Sequence, residues 1–507
     1  MSKAVVFTHF SVREETLDDA NKLADFIKEN SEYFKTYLTC QNIGLVYVYV
    51  SRGLEKVVKT LRVKGSSFEV NARDIDTEQR IISALRLAIH EAAGQIPGYD
   101  ECKSPQIIFI GLPQLVHLLN TLIRIDKTLV RNLAGRKKFT YDSPKFVDAV
   151  IRLKRGNDFP VVRVDADVCV NEDAMDQIIA QWELLNQPQY PHNYFFSGNY
   201  AGPPVVPSDS MNIHDPVNMH AIRQHWLVDP KAWTNPVGYK LVKGAEQFAR
   251  DIGELGATQV VGSSINPSRA CKKLIKKRGG LSMNRERSAQ AISGAGLVMS
   301  VGAIRRLPPF MNAQSMIVWI DDHLKRQLHE AIQDIPANAV ERLNNAYLIQ
   351  NRSPKGIAPK DIEWAKDNYF ERLLSGCLMH AMIKNVDGTA GPLANIVKDI
   401  IEFEVTKTNF TKGTKREHRK VLRDTAKKRF EEVLGVWRNA DYGETTLKNW
   451  ADKLTGPLLL KEKNRICFSV VNVAMDYIKL LFDWPQYLNA IDRLGPKDAF
   501  WLFTPVR

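Results

Sequence analysis

Asp158–Ala180 reads DFPVVRVDADVCVNEDAMDQIIA. Phe159–Val164 is apolar and β-branched apart from Pro160 and Arg163, the composition of a buried strand. It runs straight into Asp165-Ala166-Asp167. Side chains two apart on a strand share a face, so both carboxylates are expected to converge at its carboxyl end. Paired hard oxygens there suit a divalent cation that also holds a diphosphate. Asn171 is placed to cap a helix over Asn171–Trp182, in which Ala174, Ile178 and Ile179 fall at helical spacing. The competing reading is a solvated acidic turn. About two D-x-D matches arise by chance in a chain this long. The other match, Asp74-Ile75-Asp76, precedes Thr77-Glu78-Gln79-Arg80 and an apolar-periodic run, and reads as a helix cap. Only the 165–167 copy ends a hydrophobic strand.

Outward from that unit, strands and helices alternate. Val5-Val6-Phe7 reads as a short first strand and Thr16–Lys28 as an amphipathic helix. Asn42–Val50 is the clearest buried strand, Gly53–Leu61 and Thr77–Ala93 read as helices, and Gln106–Ile110 is another strand. Pro113–Leu122 reads as a helix with the proline at its first position. The alternation implies an α/β layer with a mainly parallel sheet, in which ligands sit beyond the carboxyl strand ends. That is where Asp165 and Asp167 fall.

From Gln187 to Pro236 prolines recur among Gly, Ser, Asn, His and Trp, and Arg269–Arg287 is strongly basic around Gly279-Gly280. The region of about 187–287 therefore reads as a loop-rich insertion. The basic part fits either a phosphate clamp or a solvated face. Ala291–Ser300 combines small residues with an apolar strand and leads to Arg305-Arg306, and Asp321-Asp322 opens a helical run. Strands are expected to stop near Asn345. Asp361–Met382, Leu393–Phe403, Arg416–Trp437 and Ile466–Phe482 read as helices, with Asp476 interrupting the apolar face of the last. This divides the chain into an α/β part, 1–345, and a helical, basic part, 346–507.

At 507 residues, with 44% hydrophobic and 25% charged residues, the chain has ordinary globular composition. No apolar run is long enough to span a bilayer, the N-terminus lacks signal-peptide character, and the six cysteines form no C-x-x-C pair. A cytoplasmic protein is the expectation. The net charge of +13 points to an anionic partner: small molecule, nucleic acid or acidic membrane surface. Between Lys407 and Arg429, ten of 23 residues are Lys or Arg, against Glu417 and Asp424. Peripheral membrane contact through the basic C-terminal helices is one use of that charge, and nucleic-acid binding is another.

Three features, in order, resemble the GT-A glycosyltransferases, in particular the large inverting family that includes the polysaccharide synthases. They are Asp165-Ala166-Asp167 after a strand, Ser293-Gly294-Ala295-Gly296 leading to Arg305-Arg306, and Asp321-Asp322 opening a helix. The chain departs from that pattern where Pro308-Pro309-Phe310 replaces a G-G-F turn and Asp321 replaces a glutamate, and no Q-x-x-R-W follows. The resemblance implies a GT-A mixed sheet flanked by helices and a nucleotide-sugar donor. It implies Mn²⁺ or Mg²⁺ on Asp165 and Asp167, and Asp322 as the base for an inverting transfer, with Asp321 orienting the acceptor. Ser293, Gly294, Ala295 and Gly296 would line the acceptor pocket, and Arg305 or Arg306 would help hold phosphate. A histidine is a further candidate metal ligand, with His214 and His225 considered. The alternative is a nucleic-acid-binding or nucleic-acid-modifying protein, which includes nucleotidyl or glycosyl transfer to nucleic acid.

Overall fold

The computed structural model describes residues 3–12, 14–52, 61–64, 67–70, 72–129, 139–166, 168–190, 193–201, 295–309, 328–332, 340–350, 371, 374–385, 389–402, 410–439 and 451–507. Its centre is an eight-stranded mixed sheet. The strands, in chain order, are β1 (Ala4–Val12), β2 (Ile43–Arg52), β5 (Gln106–Ile110), β6 (Val161–Asp165), β7 (Val168–Cys169), β8 (Phe195–Ala201), β9 (Ala295–Met299) and β10 (Val340–Gln350). A separate hairpin, β3 (Leu61–Lys64) and β4 (Ser67–Val70), supplies the remaining two. Across the sheet the order is β5-β2-β1-β6-β9-β8-β10-β7. The first four strands are parallel, β9 is antiparallel to both β6 and β8, β10 is parallel to β8, and β7 is antiparallel to β10.

β1 and β2 are buried on both faces, with Val5, Val6, Leu45, Val46 and Val48 fully covered, as strands between two helical layers must be. Helix α1 (Glu14–Asp18) is followed by α2 (Ala20–Thr39), whose Phe34 stacks on Phe10 with ring centroids 5.8 Å apart. Tyr47, which aligns with Phe7 and so points to the other face, meets Trp501 edge-on at 6.2 Å. Further along come α3 (Ala72–Gly94), α4 (Leu112–Ile125), α5 (Phe139–Arg155), α6 (Glu172–Leu185) and the short α7 (Val301–Arg306).

The local signals work as the chemistry requires. Asn171 caps α6, its side chain accepting from the Ala174 N–H at 2.9 Å. Proline stands in the first turn of α4. Glu78, buried in α3, accepts from the Leu112 N–H at 2.5 Å and so satisfies the start of α4. Asp74 lies in the first turn of α3, which begins five residues earlier than periodicity suggested. The expected helix over Thr16–Lys28 is broken because Asp19 accepts from the N–H groups of Asn21 and Lys22 and starts a new helix. Leu61, expected at a helix end, begins the hairpin, and the last strand runs to Gln350 rather than stopping near Asn345.

One buried ion pair pins the mixed part of the sheet. Arg152 and Asp148, on successive turns of α5, are both buried, with Nε to Oδ1 at 2.8 Å. The same guanidinium donates to the Val161 carbonyl at 2.7 Å and the Leu297 carbonyl at 3.1 Å. It therefore ties the start of β6 to antiparallel β9.

The C-terminal region is helical: residues 374–383, α8 (Pro392–Glu402), α9 (Lys412–Asn439) and α10 (Gly456–Asp492). These helices, with Leu307 and Leu328, enclose a second hydrophobic core. α10 is 37 residues, about 55 Å long, and its last turns leave that core. Trp484, Tyr487 and Ile491 join the sheet's core together with Trp501 and Leu502. Tyr47 donates its hydroxyl hydrogen to the Trp501 carbonyl at 2.8 Å, and the Arg507 N–H reaches the Gly44 carbonyl at 3.3 Å. Asp476, expected on the apolar face of α10, is exposed, and the buried acid of that helix is Asp483. Among the described residues, no helix is long and apolar enough to cross a membrane.

Candidate functional site at the carboxyl edge of β1 and β6

After β1 the chain turns one way to build β2 and β5, then crosses back to lay β6 on the other side of β1. The carboxyl ends of β1 and β6 thus flank a topological switch point, where open α/β sheets bind their ligands. Asp165 is the last residue of β6 and stands directly across from His9 of β1. Arg163, two residues earlier, shares that face with both.

His9 is held from the opposite side. Its Nε2 lies 2.7 Å from the Ser51 hydroxyl of β2, and its ring meets Tyr49 edge-on with centroids 5.5 Å apart. Burial of the ring, and second the positive Arg163, push its pKa down to about 3. The imidazole is therefore neutral at physiological pH and keeps a lone pair on one ring nitrogen. The strand expected over Val5–Phe7 stops short of it, whereas β1 runs to Val12. Extending the apolar run to Val12 places His9 on a carboxyl strand end, the signal that would have found it.

Asp165 is enclosed by its own continuation. β7 starts three residues later, so it stays within about 11 Å of Asp165. Yet β7 is the far edge of the sheet, paired with the end of β10 through Ile349–Cys169 and Gln350–Val168. The sheet must curl so that the end of β10 returns to the acidic tip. α6 then begins with Glu172 and Asp173 in its first turn, which already answer its positive end.

On the other flank, β9 lays Ala295 beside Val164 and Leu297 beside Arg163. Gly296 has φ +67°, and a Cβ there would lie 2.7 Å from Ile178 Cδ1 and 3.0 Å from Leu348 Cδ1. It is glycine because α6 and β10 close over it. Of the small-residue run, Ala295 is thus one position from the acidic tip, while Gly296 serves the packing beneath it.

Arg305 and Arg306 lie elsewhere. Since β9 runs antiparallel to β6, Ala295 is at the acidic edge and Met299 leads away from it, so α7 follows at the amino end of the parallel strands. There Arg305 makes a two-pronged pair with Asp492 of α10, at 2.6 and 2.9 Å. The hydrogen bond from Arg305 lowers the Asp492 pKa and raises that of the arginine. The structure does not bring the arginine pair to Asp165. Between the strand and the two arginines stands a short helix, Val301–Arg306, of which they are the last residues. Asp167, Ser293, Gly294, Asp321, Asp322, His214, His225 and the basic run 269–287 lie outside the described residues.

Among the described residues no group of three or more His, Cys, Asp or Glu side chains could enclose a metal ion. Asp165, with a neutral imidazole across the register, is a sparse donor set at the carboxyl edge of the sheet. It fits a hard cation that keeps several waters and takes its remaining oxygens from a bound diphosphate. It does not fit a closed structural zinc site.

No family model matches the chain, and no curated protein matches it. Among solved structures it is similar to the mannosyltransferase PcManGT from Pyrobaculum calidifontis in complex with GDP-Man and Mn²⁺, with a TM-score of 0.31 and 10% identity over 94% of this chain and 87% of that one. Likeness at that level is too slight to carry an argument about either fold or activity.

Proposed function

We propose that the chain is a metal-dependent glycosyltransferase of GT-A type, moving a sugar from a nucleotide-sugar donor to an acceptor hydroxyl with inversion. The observation that carries this reading is Asp165 at the carboxyl end of β6, across from neutral His9, at the point where the strand order reverses. In this reading Asp165 and Asp167 hold Mn²⁺ or Mg²⁺, which neutralises the charge that grows on the departing diphosphate. His9, uncharged and anchored by Ser51, offers a hydrogen bond at the donor site without adding charge. Asp322 accepts the proton of the acceptor hydroxyl as its oxygen attacks the anomeric carbon, and Asp321 orients the acceptor. The bond to the diphosphate breaks as the new bond forms, and the electron pair leaves with the diphosphate. Ser293, Gly294 and Ala295 border the acceptor. Arg305 takes no part in this reading, because it is engaged by Asp492.

The test is a panel of nucleotide sugars assayed with and without Mn²⁺, reading transfer or donor hydrolysis. Activity should require the cation and disappear in Asp167→Ala and Asp322→Asn. Full activity in both folded variants, or a product that retains anomeric configuration, would overturn the assignment of roles.

A further inference from the structure

The net charge of +13 is not explained by the donor site. The first half of α9 concentrates it. Lys412, Lys415, Arg416, Arg419, Lys420 and Arg423 are all exposed. At 100° per residue they fall within an arc of about 140° and extend along about 17 Å of helix. Glu417 and Asp424, the acids of this half, lie to one side of that arc. Arg423 has a loose contact with Asp424 at 3.9 Å, and Lys415 sits over the Phe410 ring at 5.5 Å. Among the described residues the other four have no carboxylate within ion-pair distance. Like charges at this density repel one another along a helix, so the arrangement costs stability in the absence of a partner.

The shape of the surface narrows the partner. Across residues 411–421 only Thr414 and His418 are partly covered, His418 against the Phe410 ring at 5.3 Å, so these three turns rest on the helical core by one edge and leave the basic face exposed. The exposed face of a helix about 10–12 Å across matches the roughly 12 Å major groove of a B-form duplex. No aromatic or amide side chain lies on the arc to stack on a base or read its edge, so recognition would be of phosphates, without sequence preference. A bilayer fits less well. A helix lying in a membrane interface turns its apolar face to the lipid, whereas here the apolar residues Leu422, Ala426 and Phe430 are buried in the helical core.

We propose that the exposed face of α9 binds the phosphate backbone of duplex DNA, independently of the donor site. The experiment measures binding of the full chain to a short fluorescent duplex of arbitrary sequence over a range of salt. Binding should weaken steeply as salt rises. The triple variant Arg416→Gln, Arg419→Gln, Lys420→Gln should bind about tenfold or more weakly, and lower the salt slope by about 0.9 for each phosphate contact removed. The control variant Lys28→Gln, Lys103→Gln, Lys127→Gln, which removes as much charge from the exposed surface of the α/β part, should leave binding unchanged. The proposal is overturned by an absence of salt-sensitive binding, by equal loss in the two triple variants, or by tighter binding to phosphatidylserine vesicles than to the duplex. Glycosyl transfer, measured on the same α9 variant, separates this surface from the donor site. Loss of DNA binding with unchanged donor hydrolysis supports it, and loss of both in a variant that circular dichroism shows to be folded overturns its independence from the donor site.

Discussion

His9 and Asp165 stand directly across from each other in the parallel register of β1 and β6, with Ser51 holding the imidazole from the neighbouring strand. Two unlike polar groups are thus presented side by side on a rigid sheet edge. If they serve one donor site, their effects are coupled. Mn²⁺ with a nucleotide sugar should raise the melting temperature of the native chain. Asp165→Asn should abolish that rise, and His9→Ala should reduce it. Ser51→Ala, which removes only the anchor of the ring, should weaken binding about 10-fold, the usual scale for loss of a supporting partner. Equal ligand-induced shifts in all three variants would remove this edge from the donor site.

The neutrality of His9 makes a pH prediction with a definite sign. Its folded pKa is about 3, against about 6.5 for an unperturbed histidine. Between those values the unfolded chain binds a proton that the folded chain does not, so stability falls as pH is lowered through that window. The slope from this one group is at most about 1.4 kcal/mol per pH unit. Urea titrations from pH 7 to pH 4 should therefore show a shallower loss of stability in His9→Gln than in the native chain. Parallel curves would mean that His9 is protonated in the folded state.

The buried pair of α5 carries a larger prediction. Arg152 satisfies Asp148 and two strand carbonyls at once. Arg152→Met leaves a buried carboxylate without its cation and should cost about 3–5 kcal/mol by urea denaturation. The double variant Arg152→Met, Asp148→Leu should recover much of that loss, because the uncompensated charge is then gone. A double variant as unstable as the single one would assign the cost to the lost carbonyl contacts instead.

The parts of this fold that were legible in the sequence are those governed by local chemistry. Gln106–Ile110 and the strand into Asp165 are short apolar runs, and Asn171 and Pro113 act within one turn of their own positions. What was not legible depends on partners far along the chain. The run to Val12 could have put His9 on a strand end, but its pairing with Asp165, 156 positions later, has no local signal. Arg305 is paired with Asp492, which lies ten residues beyond the helix that periodicity gives over 466–482. The return of Trp501 and Arg507 to β2 has no local signal either, since the residues they meet, Tyr47 and Gly44, are ordinary members of a strand.

Gly296 is the residue for which a reading from motif and a reading from packing differ, and substitution separates them. Its φ of +67° disfavours any other residue, and Ile178 and Leu348 fill the space a side chain would need. Gly296→Ala should destabilise the chain by about 1–3 kcal/mol through backbone strain and overpacking. The closest clash is with the far end of Ile178, so Ile178→Val, which removes that methyl group, should return part of the loss in the Gly296→Ala background and none of the part due to φ. If instead Gly296→Ala keeps full stability while selectively weakening acceptor binding, the glycine is a floor for the acceptor and the packing account is wrong. Thermal denaturation of the four chains in this cycle, read beside acceptor affinity, decides between the two.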